Sequence, residues 1–192
     1  MKRAFCSCLV ILLASTGMTV LVAAQAPVQA FAYTISGTCL NSPNGFTSKL
    51  EPVHTGTAWT TSFHAAGSGD GNGTITEVGQ SVDGASFGAG PRMHTPATNA
   101  YKDTFTSTAT ENSDGTYTIV MGMLRGSFTD GPYAGTTFTA SSGPTFRRWP
   151  NQNGIAVQAT AESPVVQTFS LSNGTSFQRI CTATAMVASP PP

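Results

Sequence analysis

Apolar and polar residues alternate along most of this chain, and glycine-rich turns interrupt the alternation at short intervals. Successive side chains of an extended strand point to opposite faces, so a period of two predicts half-buried β-strands and leaves no stripe for an amphipathic helix. Phe31, Tyr33 and Ile35 open a first strand that runs to about Cys39. Trp59, Thr61, Phe63 and Ala65 share one face of a second strand over 57–66. Further strands are predicted over 74–82, 101–110, 116–128, 136–140, 155–161, 165–171 and 175–187. Ser113-Asp114-Gly115 and Asn173-Gly174 read as tight hairpins, because such turns need positive φ at the glycine. The stretch 83–99, with two prolines and three glycines, is the longest irregular segment.

Short sequential connections make neighbouring strands antiparallel. A sheet of eight or nine such strands must curl or split to hide its edges. The expected fold is therefore all-β: a single antiparallel up-and-down β-barrel of about eight strands over 31–187. A two-sheet β-sandwich is the alternative.

The first thirty residues stand apart. Lys2 and Arg3 precede an apolar run over 5–22, and small residues follow. That layout predicts a secretory signal peptide over 1–30, with cleavage after Ala24 or Ala30, and hence a secreted or periplasmic protein. An uncleaved membrane anchor is the alternative reading of the same run. Cys6 and Cys8 precede the run, whereas a lipid-modified cysteine would follow it. No later stretch is apolar enough to cross a membrane as a helix. An outer-membrane barrel is disfavoured because Thr and Ser interrupt most strand faces. The tail 188–192 is expected to be disordered.

Signal cleavage would leave seven Lys and Arg against nine Asp and Glu, a net charge of about −2. Such a chain has no basic patch for nucleic acid or anionic lipid. Charged residues are 9% of the whole sequence, and Thr, Ser and Gly supply the polarity instead. Two cysteines remain, Cys39 and Cys181, one near each end. In an oxidising compartment they are expected to pair, tying the first strand to the last. Two buried free thiols are the alternative.

Arginines within strands mark the candidate binding residues. Arg179 shares a face with Phe177 and Cys181, and parity groups Arg125 with Tyr117, Ile119, Met121 and Met123. An arginine on an inward face must meet a carboxylate or an anionic ligand, and Asp103, on a face with Tyr101 and Phe105, is the expected partner. A strand-end arginine reaching water is the alternative. Arg92 and His94 lie together in the irregular segment, and the 136–149 region, ending at Trp149, is expected to flank the barrel opening with it. The ligand-binding candidates are thus Arg125, Arg179, Tyr117, Trp149, Arg92 and His94.

Other motifs carry little. Gly84-Ala85-Ser86-Phe87-Gly88 fits the G-x-S-x-G pattern, but no helix is predicted after it, so no catalytic residue is assigned. Asp70 and Asn72 resemble half of a calcium loop that Glu77 could close, yet one copy supplies too few oxygens. His54, His64 and His94 show no metal-ligand spacing, so neither metal nor cofactor is expected. Asn72-Gly73-Thr74 and Asn173-Gly174-Thr175 match a glycosylation sequon but are explained as hairpin turns.

The segment Phe31-Ala32-Tyr33-Thr34-Ile35-Ser36-Gly37-Thr38-Cys39, the run 127–139, and Leu171-Ser172-Asn173-Gly174 ahead of Arg179-Ile180-Cys181 resemble small secreted proteobacterial β-proteins of unassigned function. The resemblance implies one secreted β domain and no activity. In architecture the chain is similar, more loosely, to lipocalin-type and allene-oxide-cyclase-type barrels. Gly56-Thr57-Ala58-Trp59 departs from the lipocalin G-x-W spacing. The leading functional expectation is the binding of a small apolar ligand or an envelope partner. A barrel-type cyclase or isomerase, or a purely structural surface protein, is the alternative.

Overall fold

Eleven strands are formed by residues 32–69, 73–87, 95–149, 157–160 and 166–188, which the computed structural model describes. They are β1 (Ala32–Ser42), β2 (Trp59–Gly69), β3 (Thr74–Ser86), β4 (Ala97–Glu111), β5 (Tyr117–Met121), β6 (Leu124–Phe128), β7 (Thr137–Ala140), β8 (Thr145–Trp149), β9 (Val157–Thr160), β10 (Val166–Leu171) and β11 (Ser176–Ala188). A single 3-10 turn at Thr55–Thr57 precedes β2. The segment 1–30, expected to be a signal peptide, Asp70 and Asn72, Arg92, His94 and the tail beyond Ala188 lie outside the described residues, as does the side chain of Trp149.

All pairings are antiparallel, and they close. The ladder runs β3-β2-β1-β11-β10-β7-β6-β4, and β4 pairs back onto β3, giving an eight-strand barrel in sequential order. The barrel reading therefore holds over the sandwich. Three strand positions are split. β4 pairs with β6 along one stretch and with β5 further on; β5 then pairs with β8, and β11 pairs with both β10 and β9.

The split between β5 and β6 changes which residues face inward. A single strand over 116–128 was the expectation, but the ladder breaks at Gly122-Met123. Gly122 N–H donates to Thr106 O at 2.8 Å, and a Cβ on Gly122 would lie 2.9 Å from that oxygen. Before the break Ile119 and Met121 are buried; after it Leu124 and Phe128 are. The spacing has passed from odd to even, as an inserted residue dictates. Arg125 is consequently exposed, on the opposite face from the one parity had given it.

Elsewhere alternation is kept. Thr34, Ser36, Thr38, Thr60, Ser62 and His64 face outward and are exposed, while Tyr33, Ile35, Cys39 and Ala65 are buried inside. Cys39 stands opposite Cys181 in the β1–β11 ladder, and the two form a disulfide. The outward neighbours Thr38 and Thr182 place their hydroxyls 3.2 Å apart beside it. β3 continues to Ser86, so the G-x-S-x-G serine ends a strand and pairs with Trp59.

Inward glycines seat aromatic rings. The ring of Tyr33 crosses Gly67, its partner in β2, closely enough that a Cβ there would overlap it. A Cβ on Gly79 would lie 2.8 Å from Tyr101 Cζ, and one on Gly126 would lie 2.5 Å from Phe138 Cζ and 2.6 Å from Asp103 Cβ. Glycine in these strands forgoes its own packing so that a large neighbour can lie across it. Gly67→Ala is therefore expected to cost about 1–3 kcal/mol through overpacking. A chemical-denaturation midpoint equal to wild type would refute that seating.

Candidate functional site

The barrel interior holds a cavity of about 240 Å³. Its walls are mainly apolar and rich in aromatic rings. Phe138 stacks on Phe169 and Phe169 on Phe177, each pair with centroids 5.1 Å apart, and Trp59 meets Phe177 edge-on at 4.9 Å. Such rings bring apolar area with few rotatable bonds, which suits a preformed pocket. Among its polar groups, two sets run from strand to strand.

The first set spans three strands. Asn41 on β1 donates Nδ2 to Thr61 Oγ1 at 2.8 Å and to the Trp59 carbonyl at 3.2 Å; Thr61 in turn donates to Asp83 Oδ1 at 2.6 Å. Thr61 sits opposite both Cys39 and Asp83, so the ladder itself lines this relay up.

The second set follows one row of the barrel. Tyr33 pairs with Gly67, Gly67 with Glu77, Glu77 with Asp103, Asp103 with Gly126, and Gly126 with Phe138. With no side chain on Gly67, the Tyr33 hydroxyl reaches past it and donates to Glu77 Oε1. With none on Gly126, Asp103 and Phe138 approach one another. Glu77 and Asp103 are thus directly opposed carboxyl groups on an inward face, 5% and 3% exposed. Like charges in that arrangement destabilise one another. Asp103 Oδ1 is buried without a hydrogen-bond partner.

Arg179 enters the same interior from β11. Its Nε donates to Gln167 Oε1 at 2.9 Å, and its guanidinium carbon lies 4.4 Å from the centroid of the Phe169 ring. Contact over an aromatic face is favourable for a cation and strengthens as water is excluded.

These surroundings move the acidities. Burial, followed by the charge of Glu77, raises the Asp103 carboxyl to about 8, with Arg179 pulling the other way. Burial also raises Glu77, while the Tyr33 hydrogen bond opposes it. Desolvation lowers Arg179 to about 10, against the pull of Tyr101 and Asp103, so it stays charged at neutral pH. Tyr33 and Tyr101 are both raised, chiefly by burial and then by Glu77, and remain neutral. At neutral pH the interior therefore presents a cation beside a predominantly protonated carboxyl group and phenol hydroxyls.

Of the residues singled out from sequence, Arg179 and Asp103 both line the cavity, but Arg179 bonds to Gln167 and not to Asp103, its expected partner, which acts on it only through its charge. The strand-end, water-reaching alternative does not apply to Arg179, which stacks on Phe169 inside the barrel. Arg125 lies outside, and Tyr117 is half-buried against the core rather than on the cavity wall. Glu77 and Tyr33 were missed as site residues. Glu77, named from sequence only as a group that could close the rejected calcium loop, faces the interior. The available signal was its parity with Ile75 and Gly79, which places it opposite Val78 and Val82. Comparison with protein-family models, with curated proteins and with solved structures returned no match.

Proposed function

We propose that this barrel is a carrier: a secreted or periplasmic protein that holds one small, mainly apolar molecule inside it. The observation that carries the reading is the aromatic-rich cavity of about 240 Å³, which has Arg179 and Asp103 on its wall. Pockets that hold drug-sized molecules span roughly 300–1,000 Å³, so the guest is smaller than those. A purely structural protein has no use for an interior void, because unfilled space forfeits packing energy. The Cys39–Cys181 disulfide supports an oxidising destination. Among the described residues no helix is long and apolar enough to cross a membrane.

A second reading is a barrel-type isomerase or cyclase. The opposed Glu77 and Asp103 carboxyls favour it, since paired acids with displaced acidities are the usual equipment for proton transfer.

Native and denaturing mass spectra of the protein from an oxidising host test the carrier. An excess mass that vanishes on denaturation is expected from wild type. Ala183, buried on the cavity wall, supplies the control. Ala183→Phe should fill the void and abolish the excess mass while the far-ultraviolet β signal is kept. A clean apo mass for wild type, together with no uptake from a mixture of small apolar compounds, would end the carrier reading.

A further inference from the structure

The Arg179 guanidinium has no bonded counter-charge inside the cavity. Among the described residues, Nε is the one nitrogen of the Arg179 guanidinium with a hydrogen-bond partner, and that partner, Gln167, is neutral. A guanidinium carries five N–H donors in a planar fork, so most of its donors are left for something else. Asp103, the nearest acid by its electrostatic effect on Arg179, is not bonded to it, and Asp103 Oδ1 has no partner at all. Arg179 is half-buried, and a cation partly withdrawn from water without a bonded counter-charge is unfavourable; an unpartnered buried carboxyl adds to that. Both groups line one cavity, and the apolar space of that cavity continues past them along Phe138, Phe169 and Phe177.

Resting on the carrier reading above, we propose that the guest is a small apolar monocarboxylate, its carboxylate bound by Arg179 and Asp103 and its body among the phenyl rings. A carboxylate matches the guanidinium fork and forms the stronger, charge-assisted class of hydrogen bond. It also accepts a hydrogen bond from the Asp103 carboxyl, giving the unpartnered group a partner. A neutral guest leaves the cation uncompensated, and an ammonium guest meets it head-on.

Binding is then coupled to a proton. The groups that face Asp103 are Glu77 from β3, Tyr33 from β1, Tyr101 from its own strand and Arg179 from β11. Burial and Glu77 keep the proton on Asp103 up to about pH 8. Above that, ionised Asp103 repels the guest and competes with it for Arg179.

Titration calorimetry on the full-length gene product, purified from an oxidising host, tests this with three probes: 3-phenylpropionate, 3-phenyl-1-propanol and 3-phenylpropylamine, at pH 6 and pH 9. The acid is expected to bind at pH 6 about tenfold or more tightly than the alcohol or the amine, since one charge-assisted contact exceeds 1.4 kcal/mol. Its affinity should fall about tenfold or more at pH 9, the loss expected when a like charge is placed beside it. Arg179→Gln should remove the preference for the acid while alcohol binding persists, which also reports that the variant is folded. Asp103→Asn, which cannot ionise, should bind the acid equally well at both pH values. Alcohol or amine binding as tight as the acid would overturn the carboxylate assignment and leave the carrier standing. Failure of all three probes, in a protein that also shows no guest mass, would remove both. An Asp103→Asn variant that still loses the acid at pH 9 would overturn the proton coupling.

Discussion

Replacing Cys39 and Cys181 together by alanine is expected to lower the unfolding free energy by about 4–5 kcal/mol. The bond joins residues 142 apart in sequence. In the chain-entropy description a closed loop of that length restricts the unfolded ensemble by about 5 kcal/mol at room temperature, before any native strain is subtracted. Few single changes in a domain of this size approach that figure. The native barrel has other means of keeping these strands together. β1 and β11 share eleven register pairs from Ala32↔Ala188 to Ser42↔Gln178, and Thr38 and Thr182 meet on the outer face beside the bond. The loss should therefore act through the unfolded state, and two signatures follow. The denaturant m-value should rise, because the uncrosslinked chain exposes more surface when it unfolds. The folded variant should keep the wild-type β signal. A stability change below about 1 kcal/mol would mean that the unfolded chain is already compact enough to gain nothing from the tie.

Stability is expected to fall as pH rises from about 4 to about 8, the reverse of the behaviour that salt-bridged carboxylates produce. The Asp103 carboxyl moves from an ordinary 3.8 to about 8 on folding. Between those values the folded state holds a proton that the unfolded state has released, so the folded state is favoured less at each step upward in pH. The contribution is complete below about pH 4 and gone above about pH 8. At about 1.4 kcal/mol per unit, the full interval corresponds to several kcal/mol. Glu77 is also raised and acts in the same direction. Arg179, lowered to about 10, keeps its charge through the window and does not contribute to the slope. Asp103→Asn isolates the effect. The amide stands in for the protonated acid and cannot ionise, so the variant should hold its stability as wild type declines. Denaturation curves for both proteins at pH 5 and pH 8 measure the divergence. Parallel pH profiles would mean that Asp103 ionises in the folded barrel as readily as in water.

Several parts of this were legible beforehand because they are local. The strand over 175–187 appears as Ser176–Ala188, and the Asn173-Gly174 hairpin ahead of it turns at Gly174 with φ +88°. Likewise Ser113-Asp114-Gly115 turns at Gly115 with φ +79°. In each case the residue types required by the backbone are next to one another in the chain. Parity grouped Arg179 with Phe177 and Asp103 with Phe105 in unbroken strands, and both groupings hold on faces that line the cavity; there parity is a local property too.

Parity failed where hydrophobicity or continuity misled it. In β3, Val78 and Val82 are apolar, yet they are 59% and 50% exposed, while Glu77 and Asp83 point inside beside Ile75. The ladders to β2 and β4 decide this. Shifting β3 by one residue would bring the valines in, but it would also break its match to Gly67, Tyr101 and Asp103. Arg125 failed for the other reason. The inserted Gly122-Met123 step is a response to Thr106 on a neighbouring strand, and nothing in 116–128 alone requires it.

Sequence alone was sufficient for most strands, though not for β8 or the break within 116–128, and for the turns, the sequential antiparallel order and the cysteine pair, since alternation, glycine torsions and a two-cysteine count need no knowledge of distant neighbours. The tertiary structure decided which acids are buried, which arginine is inside and that a cavity exists. Closing a barrel forces all eight strands to one common register, and that register, set by the whole ring at once, outweighs the preference of any single side chain for its face.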